Sequence, residues 1–231
     1  MKIKFLLLVS SLFIISCSTK SNFPQDWAIE ELNGKPKKIT EFSSYAAHQM
    51  QAKKVSYYNE SGNLVKTEEY NEYDQTDDSF NLTQITYYNY PENDSIRTFV
   101  TYKKNSKDTL NTGTYRVVDS HTIIAKNKFH NSTTLSELEQ KLDAENRVIK
   151  TTTKVINTKH DLVTMQSSTD FIYSEKGLKK LIIKNKEMKP GGNEITLANK
   201  KTDDKGNPVY CEYLDGNKNV VYSLKREYEY Y

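Results

Sequence analysis

The chain has 231 residues, 36% of them hydrophobic and 27% charged, with a formal net charge of +3 and a mean hydropathy of −0.77. No run of five like charges occurs, so the slightly basic balance leaves no nucleic-acid footprint and no basic patch for anionic lipid.

Lys2 and Lys4 precede an apolar run, Phe5 to Ile15, broken only by Ser10 and Ser11, and Ile14-Ile-Ser-Cys17 closes it. The run falls short of the roughly 20 residues a spanning helix needs and suits the core of a signal peptide. Residues 14–17 resemble a lipobox: an aliphatic residue three places before the cysteine and a small one immediately before it. The resemblance implies cleavage before Cys17 and a diacylglycerol thioether on Cys17, usually with an amide-linked third chain. Residues 1–16 are then a lipoprotein signal peptide, 17–26 a lipidated tether and 27–231 the folded domain, with a membrane as partner through Cys17. Two or three acyl chains anchor stably where one gives only marginal binding.

Removing Lys2 and Lys4 lowers the formal charge by two, to +1. Acylated Cys17 would leave Cys211 without a disulfide partner. Within Val209-Tyr-Cys-Glu-Tyr213, Cys211 reads as a small buried strand residue, the alternative being an exposed thiol. Surface-bound lipoproteins of Bacteroidota commonly carry acids soon after the cysteine, and Ser18-Thr-Lys-Ser-Asn22 has none. That resemblance favours the periplasmic face of the outer membrane over the cell surface.

From Trp27 onward, segments rich in Val, Ile, Thr and Tyr alternate with clusters of Gly, Asn, Asp and Ser, a pattern of strands and turns. One set of turns reads Glu60-Ser-Gly-Asn63, Pro91 to Asp94, Asp119-Ser-His121, Asp143-Ala-Glu-Asn146, Glu175-Lys-Gly177 and Asp203-Asp-Lys-Gly-Asn207. A second lies midway between them: Asp74 to Ser79, Asn105 to Asp108, His130 to Thr133, Asn157 to Asp161, Pro190 to Asn193 and Asp215-Gly-Asn217. Each set recurs about every thirty residues, which describes a long antiparallel meander with turns at opposite ends. The fold class is therefore all-β, about twelve strands in hairpin repeats.

Tyr58-Asn-Glu-Ser-Gly-Asn-Leu64 and Leu142-Asp-Ala-Glu-Asn-Arg-Val148, with partial matches at Tyr173 to Leu178 and Thr202 to Pro208, resemble the tyrosine–aspartate repeats of RHS-type proteins. With the lipobox, the layout looks like that of uncharacterised Bacteroidota lipoproteins. The resemblance supports hairpins and implies no function. Thr134 to Leu142 has leucines at helical spacing and a capping box of Thr134 with Glu137, yet the repeat register favours a strand. Charges spread through the strands argue against two tightly packed sheets and for an extended, twisted or curled open sheet. They also argue against a membrane-spanning barrel, whose strands need an apolar band facing lipid.

His48, His121, His130 and His160 stand apart with no metal-ligand spacing, so the last three read as solvated turn or strand-end residues. Asp203 to Asn207 lacks the distal glutamate of a calcium loop and reads as a turn. The neighbouring acids Glu68 and Glu69 should face opposite sides of a strand. No cofactor, metal site or catalytic group is expected, and no enzyme activity. The expectation is an envelope lipoprotein that binds a protein or glycan through a tyrosine-rich sheet face. The alternative is a carrier holding a lipid or apolar ligand in the concave side of a curled sheet.

Overall fold

The computed structural model describes residues 23–45, 50–71, 80–91, 96–175, 177–185 and 192–231. The signal segment, Cys17 and His48 lie outside them. In chain order a short helix α1 (Asp26–Ile29) is followed by β1 (Pro36–Tyr45), β2 (Met50–Tyr58), β3 (Leu64–Asn71), β4 (Asn81–Asn89), β5 (Ile96–Lys103), β6 (Thr109–Asp119) and β7 (Thr122–Phe129). The second half comprises β8 (Thr134–Leu142), β9 (Val148–Asn157), β10 (Leu162–Ser174), β11 (Gly177–Asn185), β12 (Asn193–Thr202), β13 (Pro208–Leu214) and β14 (Val220–Tyr230).

Each strand pairs antiparallel with its sequence neighbours, and β1 also pairs with β14, from Pro36 opposite Tyr230 to Tyr45 opposite Tyr222. The meander expected from the turns is present, and residues 134–142 form a strand. The expected open sheet, extended or curled, is wrong: the fourteen strands found among the described residues close into a barrel. Closure satisfies the edge groups of β1 and β14, which an open sheet would leave as a template for aggregation. The count of about twelve fell short chiefly at the first hairpin, because Ala46-Ala-His-Gln49 between β1 and β2 holds none of the residues that mark turns.

The recurring turn motif has one physical cause. Asn59, Asp143, Asp203 and Asp215 each use Oδ1 to accept the backbone N–H groups two and four residues on, at 2.8–3.1 Å. This Asx arrangement folds the chain back on itself. It places the fourth residue (Gly62, Asn146, Gly206 or Lys218) at φ between 64 and 88°, a left-handed conformation that glycine and asparagine tolerate best. The tyrosine–aspartate resemblance thus reflects turn chemistry.

The pairing registers sort the side chains onto two faces. On the outer face Glu137 of β8 lies 3.2 Å from Lys126 of β7 and 3.9 Å from Lys154 of β9. Lys180–Glu194, Lys184–Asp170, Lys225–Glu227 and Lys38–Glu229 add outward pairs at 2.6–2.8 Å. Acyl chains would leave these charges unsolvated, so the outer wall suits water. Glu68 and Glu69 do face opposite sides: Glu68 accepts from Lys66, Tyr57 and Tyr70 on the outer face, and Glu69 turns inward to accept from Gln84.

One end of the barrel is filled by residues 23–33, which the sequence assigned partly to the tether. Phe23, Asp26 and Trp27 are all buried. Phe23 packs against Ile123, Leu142 and Val148, and Trp27 against Ile39, Tyr58 and Leu64. Asp26 accepts from the Leu64 amide, the Tyr90 hydroxyl and both-oxygen contacts of Arg97 at 2.7–2.8 Å. The Arg97 guanidinium lies 4.3 Å from the Phe23 ring centre and 4.7 Å from that of Tyr115. Trp27 Nε1 donates to the Pro36 carbonyl, and Asn207 holds Asn33 through both its amide groups.

Candidate functional site

 Above the plug the barrel holds a cavity of about 930 Å³, lined by residues of α1 and of thirteen strands, every one except β7; its floor is Trp27, Ala28, Ile29, Glu30 and Leu32. The volume falls within the range of about 300–1,000 Å³ typical of ligand pockets.

The lining has two chemistries. Leu138, Phe171, Leu178, Leu197, Tyr213 and Leu224 present apolar surface from β8 and from β10 to β14. Across from them, the register aligns Arg226, Glu41, Lys54, Glu69, Gln84 and Lys103 in one inward row over β14 and β1 to β5. Nearer the plug a parallel row of Ser56, Thr67, Thr86 and Thr101 is buried, with the last two hydroxyls 2.9 Å apart. Small hydroxyl side chains let the wall approach the plug closely while satisfying one another.

Within the charged row some partners are committed. Glu41 accepts from Arg226 Nε and Nη2, both at 2.8 Å. Burial pulls on the Arg226 guanidinium, but Glu41, Tyr228 and Glu30 outweigh it and hold its pKa raised. Glu69 is held by Gln84 at 2.7 Å. Lys54, whose cross-strand neighbours are these same two acids, makes no ion pair among the described residues.

Glu30 rises from the floor. Its accessible surface lines the cavity, and burial pushes its carboxyl above the usual range against the pull of Lys54 and Arg226. Beside it the Tyr58 hydroxyl is buried without a well-formed hydrogen bond, and burial together with Glu30 drives its pKa upward. Cys211 is a buried inward strand residue on the same wall, 3% exposed, and burial raises its thiol pKa.

The remaining sequence candidates fall elsewhere. His121, His130 and His160 are exposed at turns. Asp203 spends its carboxylate on two backbone amides and the Tyr230 hydroxyl, as a turn residue does. Cys17 lies outside the described residues. Sequence reasoning missed Glu30, Lys54 and Tyr58, because residues become a lumen only when β1 meets β14. The Phe23/Trp27 spacing, four residues apart, was the one local signal of a packed N-terminal turn.

No family model matches the chain, and no curated protein matches it in sequence. Among solved structures it resembles a porin-like protein from Bacteroides uniformis, with 12% identity and a TM-score of 0.43 over 85% of this chain and 98% of that one. A porin-like protein from Bacteroides vulgatus aligns at 10% identity and a TM-score of 0.47, over 85% and 99% of the two chains. At these values the likeness assigns neither function nor location.

Proposed function

We propose that this chain is a lipid-anchored envelope protein, tethered through Cys17 on the periplasmic face of the outer membrane, that carries an apolar or amphipathic ligand in its barrel without acting as an enzyme. One observation carries the reading: a closed barrel with charged pairs outside and, inside, a cavity of about 930 Å³ with an apolar wall facing a charged one. A charged exterior departs from the apolar, lipid-facing outside of a membrane pore. Native mass spectrometry of protein purified without added lipid tests it. A single co-purified small molecule per chain is expected; reproducibly empty protein that also takes up no amphiphile would count against the carrier.

A second reading places a protein or glycan partner on the outer wall. Phe42 and Phe80 lie 5.6 Å apart with Lys53 over both, and Tyr87 is 50% exposed. Tyrosine-rich surfaces make efficient contacts. Pull-down from envelope extracts, compared with a Tyr87→Ala variant, separates this reading from the first.

A further inference from the structure

Lys54 and Glu30 face the same cavity with opposite charges, yet they form no ion pair with each other. The acids flanking Lys54 on the neighbouring strands are held by Arg226 and Gln84. Glu30 stands beside Tyr58, whose buried hydroxyl, on a residue 3% exposed, makes no well-formed hydrogen bond and leans on the Glu30 carboxyl alone. Lys54 from the β2 wall and Glu30 from the floor therefore face the cavity without an ion pair to each other, with Tyr58 beside Glu30. In an enclosed space of reduced dielectric, an unmatched charge is costly and a matched one is strongly held. A ligand bearing one charge would match either Lys54 or Glu30 and leave the other unmatched.

The geometry points to an amphiphile with a zwitterionic head group, its anionic part on Lys54, its cationic part on Glu30 and its chain along Leu138, Phe171, Leu178 and Leu197. This rests on the lumen being the binding site, as proposed above. Tyr58, beside Glu30, can donate to the anionic part or to Glu30 itself. Both ends of the head group are required for full affinity, because each cancels a charge that the barrel wall leaves open.

The test uses residues 18–231, which include the whole described barrel and plug, and three single-chain probes below their micelle concentrations. Lysophosphatidylethanolamine is the zwitterion, palmitate the anion and hexadecylamine the cation. Calorimetric titration should rank the zwitterion first by about tenfold or more. Glu30→Gln should remove that preference over palmitate, and Lys54→Gln should remove it over hexadecylamine. Both side chains project into the cavity, so circular dichroism should show each variant folded; if one fails to fold, the other still decides. Equal affinity for all three probes, a single-charge probe ranked first, or an unchanged ranking in a folded variant would overturn the head-group assignment while leaving the carrier intact. Failure of all three probes to bind would remove the carrier reading, and this inference with it.

Discussion

Arg97 Nη1 lies 2.7 Å from Asp26 Oδ2, with both side chains less than a tenth exposed, and this ion pair fastens the N-terminal plug to the wall of the barrel. The Leu64 amide and the Tyr90 hydroxyl saturate the same carboxylate. Losing one partner of such a pair typically costs about 3–5 kcal/mol, since the other charge stays buried and unmatched. Asp26→Asn should therefore lower the thermal midpoint and expose residues 23–33 to protease before the barrel unfolds. Equal protease resistance in variant and parent would remove Asp26 from this role.

Gly62, in the turn between β2 and β3, packs against the plug. Its φ is +81°, and an added Cβ would stand 2.5 Å from Trp27 Cε3. Gly62→Ala combines that clash with a strained backbone, which costs on the order of 1–3 kcal/mol. Denaturant unfolding should show the loss, and emission from the chain's single tryptophan should shift as the ring moves. An unchanged midpoint and spectrum would mean that Trp27 does not pack under this turn.

Much of the architecture is legible in the sequence. Asn59, Asp143 and Asp203 mark their turns because the side chain itself builds the turn, and the strand at Thr134–Leu142 followed from their spacing. Closure was not legible, since Ile39 and Tyr228 meet across almost the whole chain and no local pattern encodes such a contact. Inward positions also defeat simple alternation. Lys54, Thr67 and Arg226 point into the barrel while Phe42 and Tyr57 point out, so polarity does not report the face. The lumen and its charges therefore emerged only from the closed register.

Glu30 predicts a pH dependence. Its folded-state carboxyl titrates above the ordinary value of 4.5 because burial disfavours the charge. The folded state then binds the proton more tightly than the unfolded chain. Glu30's contribution is fully present below the unfolded pKa and is lost as pH rises through the folded one. Denaturant midpoints measured from pH 4 upward should show that decline in the parent, and Glu30→Gln should remove this component. An identical profile in the variant would show that Glu30 is not enclosed.

The outer wall makes a separate prediction. Glu137 bridges Lys126 and Lys154 on the exterior, where exposed pairs contribute about 0–1 kcal/mol. Glu137→Gln should change stability by no more than that, and residues 18–231 should remain monodisperse in buffer without detergent. Gel filtration checks this; a strict need for detergent would contradict the water-facing exterior.

Trp27 offers the most direct test of the lumen, because this single tryptophan lies at the cavity floor. Titrating residues 18–231 with a fatty acyl chain bearing a doxyl quencher, and following Trp27 emission, reports whether the chain enters the barrel. A ligand-binding lumen predicts saturable quenching at one probe per protein, abolished by filling the cavity with Leu197→Trp as judged by direct probe binding. Quenching that never saturates, or binding that persists undiminished in the filled variant, would contradict it.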